Sequence, residues 1–189
     1  MIAYQKERIN HTMLFFAQEH RKKTRHDLSQ TVLYKYLAFF EFRYLKSYGE
    51  MPLELNYKAM EHGPVPIEIY ANRETKNYFT LVSFEPKGNG FIIKPKGKFN
   101  PDYFAETELK EMRNLIEIFA QQWVGAAVMS NASHKHIRAW RITHKEHPNK
   151  IINPIDEFDR NILEISEEEL TPQEERYLTH KAIKEFSSC

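Results

Sequence analysis

The stretch from Asp27 to Gly49 constrains the fold more than any other part of the chain. Val32, Tyr36, Phe40 and Tyr44 recur at helical spacing, and Leu33, Leu37 and Leu45 widen the stripe. Phe39 and Phe42 point to other sides, so this helix is apolar on most of its faces. A helix of that kind belongs inside a domain. Asp27 or Ser29 supplies its N-cap and Gly49 its stop. The expectation is a central core helix through about Tyr48.

The chain has 189 residues, which is one domain by length. A chain of this size buries roughly 70% of its unfolded surface and needs no disulfide or metal to fold. Glycine is scarce, at six residues, which favours helices over a turn-rich all-β fold. A first helix is expected over 4–23, with Ile9, Met13, Phe16 and His20 on its buried side. Leu55, Tyr57 and Ala59 alternate as in a short strand, Gly63-Pro64 breaks it, and a short helix is expected at about 65–73. Tyr78–Phe84 and Phe91–Ile93 read as a hairpin around Pro86-Lys87-Gly88-Asn89-Gly90. Asn100-Pro101-Asp102 is a turn, and an amphipathic helix follows over about 106–122. Gly125–Val128 is a small-residue stretch suited to close helix packing, and a further helical segment carries Ile137, Trp140 and Arg141. Ile151–Pro154 reads as a linker, and Thr171-Pro172-Gln173-Glu174 as the capped start of a last helix. The fold class is therefore α+β, mainly helical, with a small antiparallel sheet and a C-terminal helix. Residues 1–150 form the body, and 151–189 an acidic linker with that helix.

Charge is uneven. Residues 1–155 carry a formal +7 and residues 156–189 a formal −6. The basic turn Arg21, Lys22, Lys23 and Arg25 and the acidic run Glu167, Glu168 and Glu169 are candidate partner-binding surfaces. No run approaches the ~18 apolar residues of a membrane span. Met1–Asn10 has no apolar h-region, and the single cysteine, Cys189, makes no internal disulfide, so a cytoplasmic setting is expected.

The search for chemistry returns little. His134, His136, His144 and His147 cluster, but no carboxylate or cysteine falls at a recognised ligand spacing. Gly88-Asn89-Gly90 lacks the strand-to-helix context of a nucleotide loop. Ser130 and Ser133 lie near His134 without a nucleophile elbow, and Asp156, Glu157 and Asp159 sit in a charged linker. The expectation is no enzyme, no metal and no cofactor. Lys135, Arg138, Arg141 and Lys145, with Trp140 to stack on bases, leave a nucleic-acid-binding reading open.

Three stretches resemble the Panacea domain family, also described as SocA-like. The helix Leu33-Tyr34-Lys35-Tyr36-Leu37-Ala38-Phe39-Phe40 is similar to the family's opening helix. Tyr57-Lys58-Ala59-Met60-Glu61-His62-Gly63-Pro64-Val65-Pro66-Ile67-Glu68-Ile69-Tyr70 resembles its most specific signature, and Ser133-His134 followed by Trp140 is similar to a later element. The resemblance spans about residues 28–145. Met60 stands where the family often has Trp, and Ala132-Ser133-His134 departs from its usual wording. The signature residues are Tyr57, Ala59, His62, Gly63, Pro64, Val65, Tyr70, His134 and Trp140, serving the fold or partner binding. Gly63-Pro64 is expected to turn strand into helix, with Val65, Ile69 and Tyr70 packing that helix on the core. His62, His134 and Trp140 are expected to meet near that corner. The resemblance implies an antitoxin that neutralises a cognate toxin by direct protein contact. The alternatives are a proteolytic adaptor delivering a toxin to an ATP-dependent protease and, behind both, a nucleic-acid-binding regulator. A metal-dependent enzyme ranks last.

Overall fold

The structure is a computed structural model that describes residues 3–122 and 124–186. Expectations placed on Met1 and Cys189 lie outside the described residues. The elements run α1 (Gln5–Thr24), β1 (Leu28–Ser29), α2 (Gln30–Tyr48), β2 (Tyr57–Met60), β3 (Gly63–Pro66), α3 (Ile67–Asn72), β4 (Val82–Lys87), β5 (Gly90–Pro95), α4 (Glu106–Phe119), α5 (Ala126–His136), α6 (Arg138–Glu146) and α7 (Pro172–Phe186). The architecture is α+β and mainly helical, with one three-stranded sheet ordered β1-β5-β4 and one two-stranded sheet, β2-β3. No helix among the described residues is long and apolar enough to cross a membrane.

Helix α2 is the core helix. Every residue from Val32 to Phe42 is buried, and α1, α4, α5, α7 and both sheets pack around it. Its N-terminus is capped by Ser29, whose Oγ accepts from the Val32 amide at 3.3 Å. It ends at Gly49 in the left-handed region, φ +75°, where a Cβ would run into the Gln173 carbonyl at the start of α7. Phe16 of α1 stacks on Tyr36 at 4.7 Å between ring centroids, and Phe119 of α4 stacks on Phe39 at 4.8 Å. These aromatic contacts fix where α1 and α4 lie against α2.

Several boundaries differ from the sequence expectation, each for a local reason. Gly63-Pro64 does not end the strand. It opens β3, which pairs with β2 from Met60↔Gly63 to Tyr57↔Pro66, and α3 starts at Ile67. Tyr78–Leu81 stays outside the second hairpin, because the Asn10 side chain of α1 takes the Thr80 amide at 2.8 Å and the Leu81 amide at 3.3 Å. Pro86 is tolerated within β4 because β4 is an edge strand. Within the small-residue stretch Ala127 and Val128 face solvent, and Ala126 packs against the core.

The stretch expected as a linker is built into the body. The Ala59 amide donates to the Lys150 carbonyl at 2.8 Å, and the Asn149 and Ile152 amides return bonds to Ala59 and Tyr57 at 2.8 Å each. Residues 149–152 thus extend the β2-β3 sheet by one edge. Ile152, Ile155, Phe158 and Ile162 are buried. Glu157 is buried too, and its Oε2 accepts from the Ala139 amide at the start of α6 at 2.9 Å. Burial pushes the Glu157 carboxyl up to about 7. The start of α7 matches its sequence reading: Thr171 and Glu174 cap each other reciprocally, at 2.8 Å and 3.4 Å.

Glu41, fully buried on α2, accepts from the Leu53 and Leu55 amides at 3.2 Å each. It thereby holds the loop that leads into β2. Burial outweighs these two bonds and pushes its pKa from 4.5 up to about 8. Between those values the unfolded chain gives up this proton and the folded chain keeps it, so stability falls as pH rises. Glu41→Gln removes that contribution. The variant is expected to gain stability relative to wild type as pH rises from 4.5 to 8, read from urea midpoints across the pH series.

Candidate partner-binding site

Segments of α2, α5 and α6 converge at the tip of the β2-β3 hairpin. The tip is a two-residue turn, Glu61-His62, followed by Gly63 with φ +105°. A side chain there is strained by the backbone alone. It would also have no room, since a Cβ would stand 2.6 Å from Ser133 Oγ and closer still to Lys35 Nζ. Glycine at this position lets the turn press directly on a lysine from α2 and a serine from α5. Ser133 is completely buried, and its hydroxyl donates to the Ser130 carbonyl at 2.8 Å.

Helix α6 delivers Trp140 to the same corner. Its Nε1 donates to the Met60 carbonyl at 3.0 Å, tying α6 to the end of β2. His134 stacks on Trp140 at 4.1 Å with 4° between the planes, and His144 stacks on it at 4.6 Å with 20°. The indole is thus held between two imidazoles. Trp140 is only 6% exposed and leaves no ring face for a nucleobase, which corrects the stacking role considered above.

The electrostatics of the corner are one-sided. Lys35 is 1% exposed, with no ion pair to any carboxylate among the described residues. Burial alone pulls its pKa down to about 8, so the ammonium is still mostly charged at neutral pH. His134 is lowered by burial first and then by the charges of Lys35, His144 and His62, with the Glu61 carbonyl opposing them. Its Nε2 is buried without a hydrogen-bond partner among the described residues.

The structure therefore brings His62, Gly63, His134 and Trp140 together. Tyr57, Ala59 and Pro64 face the core behind them, while Val65 is half-buried. Tyr70 departs from its expected packing role: it is 41% exposed, with the Arg73 guanidinium 4.0 Å from its ring centroid. Lys35 is the member of the cluster that sequence reasoning passed over as a functional group. The available signal was a single lysine within a run of residues otherwise suited to the core.

The two charged surfaces picked from sequence differ in character. Arg21 pairs with Asp27, Lys22 with Glu19 and Lys23 with Glu117, and Arg25 closes α1 in the left-handed region. The basic turn is thus largely engaged within the chain. Glu167–Glu169 form an exposed 3-10 turn. No group of three or more His, Cys, Asp or Glu among the described residues is arranged to hold a metal. No protein-family model, curated protein or solved structure matches the chain.

Two outcomes follow from this geometry. Gly63→Ala is expected to cost about 1–3 kcal/mol from the backbone alone, with more from displacing Lys35 and Ser133, as a lowered urea midpoint. Lys35→Met keeps the chain length and removes an unpaired buried charge. It is expected to raise Tm by about 2–4 °C, the equivalent of ~1 kcal/mol, in calorimetry at pH 7.

Proposed function

We propose that this chain is a cytoplasmic antitoxin that neutralises a cognate toxin by direct protein–protein binding. The observation that carries this reading is the convergence of the three Panacea-like stretches. They are widely separated in sequence, yet Lys35, Gly63, Ser133, His134 and Trp140 meet at one corner. The departure at Met60 is accommodated, because Trp140 takes the backbone carbonyl at that position and not the side chain. The reading needs no catalytic group. Ser133, the serine nearest the histidines, is fully buried and spends its proton on Ser130.

The test is co-expression with the product of the neighbouring gene, scored by growth and by copurification. A one-to-one complex that restores growth is the expected result. Growth rescue that disappears in cells lacking an ATP-dependent protease favours the adaptor reading. Absence of both complex and rescue overturns the proposal. Charge reversal at Glu167, Glu168 and Glu169 is expected to weaken rescue more than reversal at Arg21, Lys22, Lys23 and Arg25. The acidic turn is exposed, whereas three of the four cations already have partners within the chain.

A further inference from the structure

We propose that the cavity between β4 and the turn after α3 binds a small phosphomonoester with a flat apolar body. The inference goes beyond the antitoxin reading and does not rest on it. The cavity measures about 330 Å³, a size suited to a small ligand. Residues 73–77 line it on one side, and Val82, Phe84 and Lys96 on the other. Two of its charged groups, Arg73 and Glu74, pair with each other at 3.2 Å. Arg73 also donates to the Tyr70 carbonyl and lies over the Tyr70 ring, so its guanidinium is engaged within the chain. Lys76 and Lys96 remain. Both are exposed, and neither side chain enters an ion pair or hydrogen bond among the described residues. The lining thus carries two uncompensated positive charges. A phosphomonoester matches them with a charge of about −1.5 to −2 at neutral pH, whereas a carboxylate or a phosphodiester supplies only one negative charge.

The backbone holds both lysines in place and adds a donor. Lys76 stands in a turn closed by the Tyr78 amide on the Thr75 carbonyl at 3.2 Å, and the Thr75 amide is itself fixed to the Asn72 carbonyl at 3.0 Å. Lys96 donates its own amide to the Leu81 carbonyl at 2.8 Å, which places it at the start of β4. That bond also sets the phase of the β4-β5 ladder. The hydrogen-bonded pairs run through Leu81, Ser83, Glu85 and Lys87. The amides of Val82 and Phe84 therefore point away from β5, and β4 has no strand on that side. Phe84 lines the cavity, so its amide is a backbone donor along the free edge. An ammonium on either side and an amide between them suit the several acceptor oxygens of a phosphate.

The rest of the lining is apolar and flat. Phe84 is half-buried, with the Phe79 ring 5.6 Å and the Phe91 ring 6.5 Å from its own, so its orientation is fixed by packing. Phe79 and Val82 lie beneath it in the core. An aromatic or otherwise planar body attached to the phosphate covers this wall and removes apolar surface from water. Inorganic phosphate alone leaves the wall wet and therefore binds less tightly.

The experiment is a two-dimensional NMR titration of the full chain with phenyl phosphate, chloride holding ionic strength constant. Saturable shifts are expected at the Phe84 and Lys76 amides. Lys76→Ala and Lys96→Ala are each expected to weaken binding about fivefold, and both replace exposed side chains without partners, so the fold is retained. Lys110→Ala, which removes one exposed charge on α4 outside the lining, is expected to leave the affinity unchanged. Inorganic phosphate and benzoate are each expected to bind more weakly than phenyl phosphate. Shifts that never saturate, an unchanged affinity in both lysine variants, or an equal loss in Lys110→Ala would overturn the site. Inorganic phosphate binding as tightly as phenyl phosphate overturns the apolar body, and benzoate doing so overturns the phosphate. A short oligothymidylate that binds more tightly than phenyl phosphate, and loses that advantage in Lys96→Ala, reassigns the cavity to a nucleic-acid strand and overturns the small ligand.

Discussion

Helix α2 runs through the protein with every side chain from Val32 to Phe42 removed from water, and two of those side chains, Lys35 and Glu41, are an amine and a carboxyl that water would keep charged. Much of the surrounding structure answers to that constraint. Glu41 meets it by protonation and by two amides from the loop before β2. Lys35 has neither a carboxylate nor full release from charge at neutral pH. The polypeptide around α2 is accordingly ordered by two different solutions to one problem. Near Glu41, backbone amides come in. Near Lys35, a glycine turn, a serine and a histidine gather.

The hairpin corner shows how such a helix controls distant segments. Gly63 has a positive φ and a neighbour on the side where a Cβ would project. The hairpin therefore sits close enough to α2 for Trp140 of α6 to reach the Met60 carbonyl. Once that indole is anchored, His134 and His144 stack on it and bring α5 and α6 into register. Sheet, core helix and two later helices are thus locked through one turn. Gly63, Trp140, His134 and His144 are the residues that build this lock.

The C-terminal third obeys ordinary electrostatics. Glu174 caps the start of α7 and takes Arg160 in a two-point contact, at 3.0 Å and 2.7 Å, and the guanidinium holds its carboxyl down to about 2. The formal negative charge of this region is therefore not all available to a partner. Glu174 and Glu157 are committed to the fold, and Asp159 pairs with Lys46. The exposed turn Glu167–Glu169, with exposed Glu164 and Glu175, is what remains presented.

The amino-acid sequence by itself determined the helices with strong periodicity and clear caps. Ser29 and Gly49 bracket α2, Thr171 and Glu174 start α7, and local chemistry suffices to mark both. That His134 and Trp140 meet Gly63 is a matter of tertiary structure, because the three lie on α5, α6 and the β2-β3 hairpin. Tertiary structure alone decided the rest. A strand paired across two residues and a proline start to a helix look alike in Gly63–Pro66 until the partner strand is present. Residues 149–152 carry no strand signal of their own and become an edge only because β2 offers free amides and carbonyls. Whether Trp140 was free to stack or already sandwiched depended on where α5 and α6 crossed. The weight of Lys35 was hidden for the same reason: a charge in a helix acquires its energetic meaning only when the other elements close over it.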